Sequence, residues 1–189
     1  TPWRTMIIAD NIGELAASKI MLNLNEPCVL EDVSWIRPGK YIGIWWTLHK
    51  DFYTWYYGPR HGATTEHTMR YIDFAAENGM SAVLVEGWNK GWDGNWMKNS
   101  TGFSFTEAYP DYDFDKIMKY AASKGVQMVI HNEYAANTEH YLSQIHDAYK
   151  LYSSYGMHYI KTGNVNVLMD GKEQHDGQYA VNRRRQIVE

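Results

Sequence analysis

The chain has a single cysteine, Cys28, so no disulfide can close within it and no cysteine-based metal site can be drawn. It has no basic run beyond Arg183, Arg184 and Arg185, and its net charge is −4, which argues against a nucleic-acid partner. Those three arginines are expected on a solvated helix face. No stretch approaches the roughly 20 apolar residues needed to cross a bilayer, and no signal-peptide pattern opens the chain. It lacks an initiator Met, beginning at Thr1, and Tyr179 to Glu189 reads as a helix without a stop signal. Both features lead us to expect a piece of a longer protein, one that leaves the compartment undetermined. No G-x-G-x-x-G follows any strand candidate: Gly87-Trp88-Asn89 and Gly163-Asn164 do not match it.

Aromatic residues are plentiful, with 8 Trp and 15 Tyr, many of them between Trp35 and Trp96. Flat aromatic faces are what sugars stack on, although filling a core is the plainer use of any single one. A content of 44% hydrophobic and 21% charged residues is that of a globular chain with a sizeable core.

Organisation follows from punctuation. Trp3 to Ala9 is a strand candidate, Asn11 to Leu22 a short helix, and Pro27 and Pro38 bracket an irregular linker. Residues 1–34 are therefore expected to be a lead-in or the end of a preceding β-domain. From Gly39 a loose repeat begins, in which a helical pattern ends in glycine and leads into an apolar strand. Gly79 precedes MSAVLVE, Gly125 precedes VQMVIHNE and Gly156 precedes MHYIKTG, and glycine is the cheapest residue for a left-handed helix cap. Thr64 or Thr65, Asp113, and Asn137 or Thr138 are the matching N-caps. With Tyr41 to Trp46 in front, these elements predict βαβ units and a parallel sheet, the first four units of a (β/α)₈ barrel spanning residues 35–189. A closed barrel takes about 250 residues.

Val126 to Ile130 is apolar on both parities, as a strand buried on both faces must be, and stops abruptly at His131, Asn132 and Glu133. In such folds the acting residues sit at the C-terminal strand ends. Those ends read Trp45 and Trp46, then Glu86 and Trp88, then His131 and Glu133, then Lys161. Each has a structural alternative: Glu86 and Lys161 as an ion pair, His131 as a satisfied buried histidine. Their convergence on one face favours a site. Sugar hydrolysis suits it, with Glu133 as the base and Lys161 holding that carboxylate ionised. A non-catalytic carbohydrate-binding module, or a metal hydrolase using His131 and Glu133 with His158 or His175, are the rivals; the latter lacks three closely spaced ligands.

Five runs carry a resemblance: Trp35 to Trp46 (WIRPGKYIGIWW), Tyr71 to Asn89 (YIDFAAENGMSAVLVEGWN), Lys124 to Glu133 (KGVQMVIHNE), Tyr159 to Asn166 (YIKTGNVN) and Gln174 to Asn182 (QHDGQYAVN). In order and spacing they are similar to the catalytic barrel of glycoside hydrolase family 97, calcium-dependent α-glucosidases and α-galactosidases. The resemblance implies an oligosaccharide substrate, a periplasmic or secreted protein, and Glu133 as the general base of the inverting, α-glucosidase-type branch. It also implies His131, Lys161, Glu86 and Trp88 at substrate-binding positions. Retaining members carry an aspartate nucleophile in a Lys-x-Asp run, where this chain has Lys161-Thr162-Gly163. The resemblance places the general acid and the calcium-ligating glutamates outside this chain, so the chain alone is expected to be inactive. The open edges of a half barrel predict dimerisation, strand exchange or aggregation.

Overall fold

The computed structural model describes residues 4–174 and 177–188. It forms two compact units, Thr1–Pro38 and Gly39–Glu189. The first holds α1 (Ile12–Ala17) and α2 (Ile20–Asn23). Asn11 caps α1, its side chain accepting from Glu14 N. The expected strand at Trp3 to Ala9 does not form over the described residues, because an isolated β-segment needs a partner to pair with and none lies in this unit.

In the second unit, β1 (Tyr41–Gly43), β2 (Ala82–Val85), β3 (Gln127–Glu133) and β4 (Tyr159–Gly163) lie side by side in sequence order. All three pairings are parallel. A short α3 (Trp45–His49) follows β1, and α4 (Thr65–Glu77) and α5 (Phe114–Ser123) are the crossovers from β1 to β2 and from β2 to β3. The cap residues act as their sequence positions predict. Thr64, Asp113 and Asn137 each accept a backbone N–H of the first helical turn, and Gly79, Gly125 and Gly156 adopt φ of +63°, +69° and +70°.

One expected helix becomes two, α6 (Thr138–Leu142) and α7 (Ile145–Ser154), broken at Ser143 and Gln144. Gln144 is used elsewhere: its side chain accepts from Phe105 N and donates to Phe103 O. After β4 the chain makes a small antiparallel pair, β5 (Leu168–Met169) with β6 (Glu173–Gln174), and then α8 (Gln178–Val188).

The core lies between the sheet and the helices. Ile72 and Ala75 of α4, Ile117, Met118 and Ala121 of α5, and Ala148 and Tyr152 of α7 are buried with Val83, Val85, Met128 and Ile130. Each of the large aliphatic side chains contributes about 1.5–3 kcal/mol by leaving water. β3 is buried on both faces only from Ile130 onward; before it Gln127 is exposed and Val129 half-buried. The two-faced burial expected of Val126 to Ile130 therefore holds only at its end, where the neighbouring β2 and β4 and the loops beyond cover β3. Its even positions face the helices: Asn132 donates to Tyr141 Oη and accepts from Tyr152 Oη. Its odd positions, His131 and Glu133, face the other way, onto Gly163 of β4. Arg183 departs from the solvated helix face expected of it, since its side chain is 17% exposed and its Nε lies 2.7 Å from Asp170. Asp170 also accepts from Thr138 N and Tyr179 Oη, which ties α8 to α6.

Candidate active site

Parallel register brings the polar strand ends level, pairing His131 with Lys161 and Glu133 with Gly163. Glu133 is 2% exposed. Its Oε1 accepts from Ala135 N at 2.7 Å and Val165 N at 2.9 Å. The first of these bonds requires the turn after β3, where Ala135 and Ala136 hold φ of +47° and +58°, a strain that non-glycine residues adopt only when the surroundings fix them. Burial pushes the Glu133 carboxyl up from its ordinary 4.5 to about 7, against the two backbone donors and the Lys161 ammonium, which pull it down.

Lys161 pulls Glu133 towards the ionised form, as expected, but does not set the balance. Its Nζ sits 2.7 Å from Glu86 Oε1, and its field at Glu133 is outweighed by burial. Glu86 is itself buried, and its other oxygen accepts from Trp55 Nε1 at 3.2 Å. The ion-pair alternative for Glu86 and Lys161 is thus what forms, at the mouth of the sheet.

His131 is buried and neutral. Burial, reinforced by Lys161 and opposed by Glu86, takes its ring from 6.5 down to about 4. Its Nε2 lies 3.8 Å from Glu86 Oε1, too long for a hydrogen bond, and an uncharged ring makes no ion pair there. Its Nδ1 has no hydrogen-bond partner among the described residues. Trp92 stacks on the imidazole at 5.9 Å and 24°, and Trp55 stacks on Trp92 at 6.2 Å and 21°.

Trp88 does not line the mouth as expected. It is fully buried against Tyr112, Phe114 and Tyr152, and its Nε1 donates to His131 O at 2.9 Å. Its contribution is to clamp the end of β3 to the end of β2. His61 braces the same turn, with Nε2 2.9 Å from Gly87 O and Nδ1 2.8 Å from Asp111. Sequence reasoning missed Trp55, Trp92 and His61, since each reaches the strand ends from a loop, and loop side chains carry no periodicity to mark them.

Gly163 decides the shape of the site. A Cβ there would stand 2.2 Å from Glu133 Oε2 and 2.9 Å from His131 Nε2, so the carboxylate occupies the space that any side chain at residue 163 would need. Beyond the 135–137 turn lies a cavity of about 590 Å³, lined by Ser100, Asn137, Asn166 and Lys172 among others, and sharing Ala135 with the Glu133 site.

Among the described residues no group of three or more His, Cys, Asp or Glu side chains is placed to hold a metal ion. His131 and Glu133 therefore lack a third ligand, which removes the metal-hydrolase rival as far as these residues go; His175 lies outside them. Nor, among the described residues, is there such a group to fit the calcium implied by the resemblance.

Comparison with known proteins bears on these strand ends. The profile of "Glycoside hydrolase 97" matches residues 45–189, and that of "Glycosyl-hydrolase 97 N-terminal" matches residues 1–27. A retaining alpha-galactosidase of Bacteroides thetaiotaomicron is 31% identical over 139 residues, covering 71% of this chain and 19% of that protein. A probable retaining alpha-galactosidase of Streptomyces bingchenggensis is 27% identical over 139 residues, covering 70% and 19%. A solved family 97 enzyme from Pseudoalteromonas sp. strain K8, in complex with acarbose, superposes with a TM-score of 0.82 at 47% identity, covering 90% of this chain and 27% of that one. A Glu→Gln variant of that enzyme, in complex with panose, matches equally well. The chain thus spans about a fifth of the length of the curated relatives it matches. It belongs to glycoside hydrolase family 97, and so to the glycosidases.

Proposed function

We propose that the protein containing this chain hydrolyses α-glucosidic bonds with inversion, Glu133 serving as the general base. A water seated between Glu133 Oε2 and the anomeric carbon gives its proton to the carboxylate and attacks from the face opposite the leaving oxygen. Oε1, held by two backbone donors, keeps the group in one orientation while Oε2 does the work. A carboxyl near 7 is half ionised at neutral pH, where a base both accepts a proton readily and is available to do so. The observation that carries this reading is the missing side chain at Gly163: the strand end beside Glu133 offers no second carboxylate to attack carbon, and no room for one.

Two facts about relatives pull in different directions. The two curated relatives named above are a retaining and a probable retaining alpha-galactosidase, which favours a retaining alternative. The more similar solved enzyme was captured with acarbose and, as a Glu→Gln variant, with panose, an α-linked glucose trisaccharide, which supports the glucosidase reading. The general acid and the calcium ligands are those the family resemblance implies outside this chain, and no step here passes through the metal.

Turnover of p-nitrophenyl α-glucoside and α-galactoside by the full-length protein, wild type against Glu133→Gln, tests the proposal. Loss of a general base costs about 10²–10⁴-fold. A preference for the galactoside, or a Glu133→Gln variant as fast as wild type, contradicts it. The 189-residue chain alone, with calcium, should show no turnover.

A further inference from the structure

We infer that Trp55 is a sugar-stacking platform of this active site, holding a pyranose ring against the Glu86–Lys161 pair; the inference rests on the glycosidase reading above. Trp55 lies in the loop after α3, far from any strand end in sequence. Its indole N–H nevertheless donates to Glu86 Oε2 at 3.2 Å, while Glu86 Oε1 pairs with Lys161 at 2.7 Å. Lys161 is the register partner of His131, two residues before Glu133. The indole edge therefore borders the same polar patch as the base.

Three properties distinguish it from Trp88 and Trp92, which follow β2. Trp88 and Trp92 are buried and have no face to offer, whereas Trp55 is half-buried. One side of its ring is backed by Trp92, which is in turn stacked on His131, so the proposed ligand would lie on the other side. Its backbone is fixed as well: Gly87, at φ +82°, passes so close that a Cβ there would lie 2.7 Å from Trp55 O. A flat, immobilised apolar face bordered by a carboxylate and an ammonium matches a pyranose, which presents C–H bonds on one side and hydroxyls around its rim.

The test uses the full-length protein with Glu133→Gln to prevent turnover, titrated calorimetrically with maltotriose and with raffinose. Trp55→Leu removes the ring, and Trp55→Phe removes the N–H but keeps an aromatic face and a similar fold. Stacking predicts roughly tenfold weaker binding for Trp55→Leu and a smaller loss for Trp55→Phe, as aromatic contacts are worth about 0.5–1.5 kcal/mol beyond their area. Equal losses in the two variants would mean that the N–H to Glu86 is what matters, and would overturn the platform, as would binding unchanged in both or absent altogether from the folded protein. Ring-dependent binding of raffinose in place of maltotriose would sustain the platform while refuting the glucosidase assignment.

Discussion

Replacing Gly163 by Ala should disable the enzyme by moving one carboxylate. The backbone at residue 163 lies outside the left-handed region, so alanine is conformationally allowed and only contacts decide the outcome. The new Cβ would stand 2.2 Å from Glu133 Oε2 and 3.1 Å from its Cδ, and ordinary contact begins near 3.4 Å. The carboxylate must therefore shift by about 1 Å, and a displacement of that size costs on the order of 10²-fold in rate. The shift also pulls Oε1 away from Ala135 N and Val165 N, bonds worth about 1.5–3 kcal/mol each when the acceptor is charged. Steady-state kinetics on an α-glucoside should show kcat down about 100-fold with KM little changed, since remote sugar contacts are untouched. Overpacking of this kind also lowers stability by about 1–3 kcal/mol, measurable by urea unfolding. A Gly163→Ala enzyme with the wild-type kcat would refute the reasoning, because Glu133 could then occupy another position and still work.

Glu133→Gln should stabilise the protein above neutrality. With its folded value raised from 4.5 to about 7, the native state holds the proton more tightly than the unfolded chain. Wild-type stability is therefore full below about 4.5 and lost as pH rises through 7, by at most about 3 kcal/mol at 1.36 kcal/mol per pH unit. Melting curves should show Glu133→Gln gaining on wild type between pH 5 and pH 8, and parallel curves would contradict this. Lys161→Met should move the acid limb of the kcat/KM profile to higher pH, since the ammonium lowers the Glu133 value, and an unmoved limb would exclude that coupling. It should also destabilise by less than the roughly 3–5 kcal/mol of a fully buried pair, because the Lys161 side chain is 45% exposed. The isolated chain leaves β1 and β4 with one neighbour each, so sedimentation velocity should reveal self-association, and a monodisperse monomer would count against open-edge pairing.

Local chemistry was the legible part. Thr64, Asp113, Gly79, Gly125 and Gly156 act within one helical turn of themselves, so their roles can be read without knowing what they pack against. The strand through Val126 to Ile130 and its polar end were legible too, from β-branched residues ending abruptly at His131, although Gln127 is exposed and Val129 half-buried. The direction of the Lys161 effect on Glu133 was legible, but not that burial outweighs it, which no spacing shows, nor that Lys161 pairs directly with Glu86, 75 residues away. Trp88 was misread for a related reason. A residue just past a strand end can turn towards the mouth or back into the core, and the direction is set by Tyr112, Phe114 and Tyr152, from distant segments. Trp3 to Ala9 has strand composition, yet residues 4–9 form no strand and no strand partner lies among the described residues of their unit, since composition alone makes no ladder.

The stereochemistry of the first product tests the central claim most directly. Proton NMR during the first minutes of hydrolysis of an α-glucoside by the full-length protein distinguishes the two anomers before they equilibrate. Direct attack by a water activated at Glu133 predicts β-glucose as the initial product, with the α-anomer growing in later. Appearance of α-glucose first would mean a covalent intermediate, and Glu133 would not be the base described here.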